Sequence, residues 1–146
     1  MTTPRMDHVS LIVDDLEAAI AFFTELGLES EGVAAVEGDW VDRVNGIDDV
    51  RVDIVMMSTP DGHGKLELTQ FRSPDVLTPS PANATPNLLG LRSVMFEVDD
   101  IDDTVERLRA HGGKLVGEIA DYERYYRLCY LRGPGGAIIA LAESIG

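Results

Sequence analysis

The hydrophobic and polar pattern of the chain occurs twice. The stretch HVSLIVDDLEAAIAFFTELGL, which begins at His8, has a second copy in SVMFEVDDIDDTVERLRAHGG, which begins at Ser93. Each copy opens with an apolar, β-branched run, passes through aspartates, and then places apolar residues at the spacing of an amphipathic helix that ends at glycine. The pattern predicts a strand and a helix at the start of each half, with the aspartates as helix caps.

Three further strands are predicted after each helix from alternation and residue type. They are LESEGVAAVEG, DVRVDIVMMS and GKLELTQF in the first half, and KLVGEIA, RYYRLCYLRG and GGAIIALAE in the second. The stretch DWVDRVNGI favours a helical turn or an ordered loop between two strands of the first half. Each half is therefore a βαβββ module, and the predicted fold is α+β.

The domain organisation follows from the same pattern. We expect one domain over residues 1–146, with module one at 6–71, a connector at 72–90 and module two at 91–146. The connector is rich in proline, serine and asparagine and has no helical period, so it is expected to lie along the surface.

Composition narrows the classes of function. The chain has 146 residues and a formal net charge of −14, and its acidic residues are spread along the whole length. This charge argues against nucleic acid or an anionic membrane as a partner. The start resembles no signal peptide, and no apolar run approaches the roughly 20 residues of a membrane helix, so we expect a cytoplasmic protein. The single cysteine, Cys129, is expected to be a buried and unreactive thiol.

Four stretches together resemble the vicinal oxygen chelate superfamily, which includes glyoxalase, bleomycin-resistance and extradiol dioxygenase proteins. They are HVSLIVDDLEAAIAFF, KLELTQF, FEVDDIDDTVERLRAHGG and GPGGAIIALAE. The resemblance implies two tandem modules that form a cupped mixed sheet around a cavity, in which a small molecule binds. It also implies metal ligands at four strand positions, and a homodimer is expected because the sheet edges need covering.

Only two of the four positions implied by the resemblance carry residues that commonly bind metals. Module one has His8 and Glu67, whereas module two has Ser93 and Ala140. Two ligands hold a divalent ion weakly, because an enzyme metal site generally has at least three protein ligands. The sequence leaves open whether Glu97 or Glu143 completes the shell. It equally leaves open whether the cofactor is a divalent metal (Zn, Ni, Mn or Fe) or is absent.

Other residues are candidates for catalysis and substrate binding. Without a metal, His8 and Glu67 could act as base and acid or as hydrogen-bonding groups. The resemblance to extradiol dioxygenases makes Tyr130 a third catalytic candidate, and strand alternation brings Tyr126 and Arg132 to its face. The alternative is that the tyrosines pack against the helices.

The repeat adds substrate-binding candidates in module one. It aligns Met57 with Tyr130, and Asp53 has the same orientation as Met57 by alternation. Ser93, at the start of the second copy, is a further candidate. Together these residues predict a cavity that mixes apolar, phenolic and charged groups, which suits a small amphipathic or aromatic molecule.

The sequence is compatible with two functions. One is a metal-assisted lyase, isomerase or ring-cleaving oxygenase, against which the missing donors at Ser93 and Ala140 weigh. The other is a metal-independent protein that binds or sequesters a small molecule, as in antibiotic resistance, and here the acidity favours a cationic ligand. An interaction protein without a ligand is disfavoured, because buried polar groups without partners cost about 1 to 3 kcal/mol each.

Overall fold

The structure is a computed structural model that describes residues 2–146. The chain divides into two compact units, the first ending at Leu77 and the second beginning at Thr78. This division falls inside the predicted connector, residues 72–90. No helix within residues 2–146 is long and apolar enough to cross a membrane.

The first unit is a four-stranded mixed sheet with two helices. Its elements are β1 (Val9–Ile12), α1 (Leu16–Leu26), β2 (Glu29–Glu37), α2 (Asp39–Asn45), β3 (Arg51–Ser58) and β4 (Lys65–Ser73). The strand order is β1-β4-β3-β2, with β1 parallel to β4 and the other pairs antiparallel. The stretch DWVDRVNGI therefore supplies a short helix, α2.

The second unit repeats this topology around one helix. Its elements are β5 (Ser93–Glu97), α3 (Ile101–Arg109), β6 (Lys114–Leu115), β7 (Ala120–Tyr122), β8 (Tyr126–Arg132) and β9 (Ile138–Ser144). The strand order is β5-β9-β8-β6, and β7 also pairs with β8. The parallel pair is again the first strand with the last, β5 with β9. The predicted α+β fold of two βαβββ modules is confirmed.

One predicted strand of the second module is interrupted. The stretch KLVGEIA contains the whole of β6 and the first residue of β7. Leu115 pairs with Leu131, whereas Ala120 pairs with Leu128. The five-residue step along this strand thus faces a three-residue step on β8. The extra residues bulge out of the ladder and break one strand into two.

The helices are capped as the sequence predicts. The side chain of Asp15 accepts a hydrogen bond from the amide of Ala18, and that of Asp100 accepts one from the amide of Asp103. Each helix buries one apolar face. The buried residues are Leu16, Ala19, Phe22 and Phe23 in α1, and Ile101, Thr104, Val105 and Leu108 in α3.

The sheet face opposite α1 is covered at only one end. Val41 of α2 packs there with Val50 and Val52 in a small apolar cluster that Phe71 extends. The other end of this face, along β1 and the first half of β4, stays accessible, and Ile12 is 44% exposed. That accessible end carries the polar residues described next.

Candidate functional site

A cluster of polar side chains lies on the accessible sheet face of the first unit. Because β1 runs parallel to β4, Ser10 pairs with Glu67. One carboxylate oxygen of Glu67, Oε1, accepts hydrogen bonds from Ser10 Oγ at 3.2 Å and from Thr69 Oγ1 at 3.1 Å. The other oxygen, Oε2, lies 3.6 Å from His8 Nε2. The two hydroxyls therefore orient the carboxylate toward the imidazole ring.

The second ring nitrogen of His8 is also held by a carboxylate. His8 Nδ1 lies 2.8 Å from Asp7 Oδ2, and Arg5 lies 3.2 Å from the other oxygen of Asp7. The hydrogen bonds with His8 and then with Arg5 lower the pKa of Asp7. Asp7 is therefore an acceptor for the Nδ1 proton, which leaves the lone pair of the neutral ring on Nε2.

The gap between His8 and Glu67 can accept a proton, a hydrogen-bond donor or a cation. At 3.6 Å, Nε2 and Oε2 are too far apart for a hydrogen bond, and with neutral His8 both atoms are acceptors. Two acceptors that face each other are stabilised by a proton, a donor group or a cation between them. The side chains of His8 and Glu67 are 29% and 23% exposed, so a solute can reach this gap.

The side chains at this site supply only part of the coordination shell of a metal ion. His8 and Glu67 could both reach one ion at the usual distance of about 2.0 to 2.2 Å, and Asp7 is the kind of second partner that orients a ligating histidine. A third donor is missing, because residues 2–146 contain no group of three His, Cys, Asp or Glu side chains arranged to hold an ion. The donor set does not fit a catalytic metal site, which generally has three protein ligands.

The matching positions of the second unit carry no such cluster. Met95 pairs with Ala140 on the parallel strands, as Ser10 pairs with Glu67 in the first unit. This register also aligns Ser93 with His8, in agreement with the sequence repeat. Ala140 is fully buried and has no donor atom, so the histidine and carboxylate have no counterparts here.

The two glutamates that could have replaced the missing donor lie on opposite faces of the second sheet. Glu143 Oε1 accepts a hydrogen bond from the amide of Ile101 at 2.8 Å, which directs its carboxylate toward the helix. Glu97 lies on the other face and lines a cavity. Glu143 is therefore a helix cap, and Glu97 is the carboxylate that a ligand can reach.

The predicted alignment of Met57 with Tyr130 is wrong by one residue. Tyr130 pairs with Ala140, whereas the residue that pairs with Glu67 is Met56. A shift of one residue moves a side chain to the other sheet face. Met57 is accordingly fully buried on the face that packs on α1.

Asp53 and Arg132, two predicted substrate-binding residues, have partners within the protein. Asp53 lies on the helix side with Met57, is 9% exposed, and is bound by the guanidinium of Arg72. Arg132 donates hydrogen bonds to the backbone carbonyls of Gly136, Asn83 and Ala84. In this structure Asp53 forms an ion pair with Arg72, and Arg132 ties residues 83 and 84 of the connector to the second sheet.

The second unit has a cavity of about 550 Å³ on its accessible sheet face. Its lining residues are Met95, Glu97, Tyr122, Tyr126, Leu128 and Ala142. Of the predicted site residues, Tyr126 takes part in this lining. Tyr130 is 39% exposed and shares the face, as does Ser93. Sequence reasoning missed four lining residues, Met95, Tyr122, Leu128 and Ala142, although the alternation that begins at Ser93 carries the signal for Met95.

Comparison with known proteins identifies the family. The sequence model of the Glyoxalase/Bleomycin resistance protein/Dioxygenase superfamily matches residues 5–141. The chain belongs to this superfamily. The match spans both units, so the repeated βαβββ module is the superfamily's own architecture, and the resemblance noted from the sequence is confirmed.

Two solved structures share the fold of this chain. A glyoxalase family protein from Bacillus cereus is 49% identical, with a TM-score of 0.94 over 100% of this chain and 97% of the other. A mutant of FosX, the fosfomycin resistance protein of Listeria monocytogenes, has a TM-score of 0.62 over 96% of this chain and 90% of its own. That protein was crystallised with Mn(II) and a dihydroxypropylphosphonic acid, and at 14% identity it shows a shared fold.

One enzyme is similar in sequence to part of this chain. A 2-epi-5-epi-valiolone epimerase from Actinomyces sp is 32% identical over 112 residues. The match covers 75% of this chain and 60% of the epimerase, so this chain spans less than two thirds of that enzyme's length.

Proposed function

We propose that this protein catalyses proton transfer at a carbon atom next to the carbonyl group of a small polar molecule, with His8 as the general base. The observation that supports the proposal is the arrangement of His8 between two carboxylates. Asp7 lies 2.8 Å from Nδ1 and Glu67 lies 3.6 Å from Nε2. A base held in one tautomer beside a reachable gap is the geometry that proton abstraction needs.

The step balances without a cofactor. Neutral His8 takes the C–H proton on Nε2 and becomes an imidazolium ion, and the electron pair of the C–H bond moves to the carbonyl oxygen to give an enolate. Asp7 and Glu67 stabilise the imidazolium charge on either side. The imidazolium exchanges its Nε2 proton with water before it returns a proton to the same face of the carbon, which puts a solvent hydrogen there. Inversion follows when a water molecule protonates the opposite face of the enolate and His8 releases its proton to solvent.

Superfamily membership and the epimerase support this class of reaction. An epimerase can invert a centre that lies next to a carbonyl by removing a proton from it and returning one to it. The epimerase, which is 32% identical, is named for a cyclic polyhydroxy ketone, so compounds of this class are candidate substrates. A ring-cleaving oxygenase is less well supported, because its metal needs the donors that Ser93 and Ala140 do not supply.

Hydrogen exchange tests the proposal directly. 2-epi-5-epi-valiolone and dihydroxyacetone are incubated with the protein in D2O, and proton NMR follows the signal of the carbon beside the ketone. We expect that signal to decay with the wild-type protein, and His8→Ala to slow the decay by about 100-fold or more. His63→Ala, in an exposed turn, is the matched control and should exchange at the wild-type rate. Exchange that His8→Ala leaves unchanged, or no exchange with either ketone, would overturn the assignment.

The second candidate function is binding of a small molecule without reaction. It is favoured by the cavity of the second unit, which has a largely apolar lining and lacks the histidine and carboxylate of the first unit. Binding without reaction is the function expected of a bleomycin-resistance protein, and the superfamily includes such proteins. It predicts saturable binding that persists in His8→Ala.

A further inference from the structure

The cavity of the second unit is formed by a small residue between large ones. Ala142 of β9 pairs with Glu97 of β5 on one side and with Leu128 of β8 on the other. Because neighbouring strands lie about 4.8 Å apart, β5 and β8 are separated by about 10 Å at this point. The methyl group of Ala142 leaves that width unfilled, so Ala142 and Leu128 form the floor and Glu97 forms one wall.

The opposite wall is aromatic. Tyr122 and Tyr126 pair across β7 and β8, so their rings are on the same sheet face. They are 56% and 41% exposed, which leaves the rings open to a ligand. The volume of about 550 Å³ lies in the range of small-molecule sites.

The accessible sheet faces of the two units carry different side chains at matching positions. The position of Ala142 is occupied in the first unit by Thr69, and the position of Glu97 by Ile12. The polar group at the centre of the face is therefore lost in the second unit, and a carboxylate stands where the first unit has an apolar side chain. The result is an apolar floor with one negative charge at its edge.

The charge of the cavity is uncompensated within the second unit. Glu97 is the one ionised group among the lining residues, and its carboxylate forms no ion pair with any residue in the described part of the chain. The faces of tyrosine rings carry negative partial charge and attract cations. A cation carrying an apolar group complements both walls and the floor at once.

We propose that this cavity binds a small organic ammonium compound, with the ammonium group at Glu97 and the apolar part over Ala142 and Leu128 beside the tyrosine rings. The net charge of −14 favours the approach of such a cation from solution. This inference deepens the binding function proposed above and does not require proton transfer at His8.

Calorimetric titration with three probes of similar shape tests the ligand class. The probes are 2-phenylethylammonium, neutral 2-phenylethanol and anionic phenylacetate. We expect the ammonium compound to bind about tenfold tighter than the alcohol, and phenylacetate to bind weakest. Glu97→Gln should remove the tenfold preference while leaving the affinity for the alcohol unchanged. Ala142→Leu should fill the cavity and weaken both, and Glu106→Gln on the exposed side of α3 is the charge-matched control.

The outcomes separate this proposal from the other two. Equal affinities for the ammonium compound and the alcohol, both lost in Ala142→Leu, would retain the pocket and overturn the ligand class. No binding of any probe to the wild-type protein would overturn the binding function as well. His8→Ala should keep the wild-type affinity for the ammonium compound, so failure of the proton-transfer proposal leaves this result intact.

Discussion

Gln70 accepts a hydrogen bond from the backbone amide of Leu16 at 2.9 Å, which fixes the first turn of α1 to the last strand of its module. The second module has the same contact, since Glu143 accepts from the amide of Ile101 at 2.8 Å. Each acceptor lies three residues after a matching position of the two modules, Glu67 in the first and Ala140 in the second. The structural contact is kept in both modules, whereas the polar cluster is present in one.

Glu143→Ala is expected to destabilise the protein by about 1 kcal/mol, because it leaves the amide of Ile101 without its acceptor. Glu143→Gln should cost less than half of this, since Gln70 already performs the same task in the first module. Chemical denaturation measures the difference, and Glu106→Ala on the surface of α3 is the control. Equal loss in the alanine and glutamine variants would show that the charge of Glu143, rather than its acceptor oxygen, is what matters.

Cys129 should react slowly with thiol reagents in the folded protein. It is 3% exposed, and burial raises the pKa of its thiol to about 11. At pH 8 we expect labelling by a disulfide reagent to be about 100-fold slower than in denaturant, because the thiolate is the reactive form. Rapid labelling under native conditions would contradict the buried position.

The same thiol contributes to the pH dependence of stability. Its folded pKa lies above the model-compound value of 9.0, so its contribution is complete below pH 9 and is lost as the pH rises toward 11. Denaturation of the wild-type protein and of Cys129→Ala from pH 7 to pH 11 checks the sign. The wild-type protein should lose more stability than the variant over this range, and a parallel decline of the two would contradict the assignment.

Metal binding should be weak. His8 and Glu67 supply two ligands, so protein purified without a histidine tag is expected to hold well under one equivalent of Zn, Ni, Mn or Fe by elemental mass spectrometry. Titration with each ion followed by dialysis should return the protein to the same content. A stoichiometric metal that is lost in His8→Ala would show that further groups complete the shell.

A homodimer is expected from large apolar side chains that the chain leaves exposed. Leu77, Leu89 and Leu91 are 89%, 98% and 75% exposed, and contact with a second copy would remove this apolar surface from water. Light scattering coupled to size-exclusion chromatography should give twice the chain mass, and Leu89→Asp should shift the protein toward the monomer. Lys114→Asp, away from these leucines in the sequence, is the control. A monomer mass at all concentrations would contradict the expectation.

The modules, their order and their helix caps could be predicted because each depends on local sequence. Apolar spacing defines a helix, a short polar side chain caps it, and the aspartates at positions 15 and 100 act within three residues of themselves. The resemblance to the superfamily pointed to His8 and Glu67, and the two copies keep the same strand register at these positions.

What the tertiary structure decided is which face each strand residue occupies and which partner it meets. Met57 and Met56 are adjacent in the chain, but pairing with β4 places only Met56 opposite Glu67. Arg132 reaches carbonyls of residues 83 and 84, a contact between distant parts of the chain. The sequence by itself determined the modules, because a period is a local property. The cavity beside Glu97 needed the fold, because strand register is set by residues far apart in the chain and one residue of shift reverses a face.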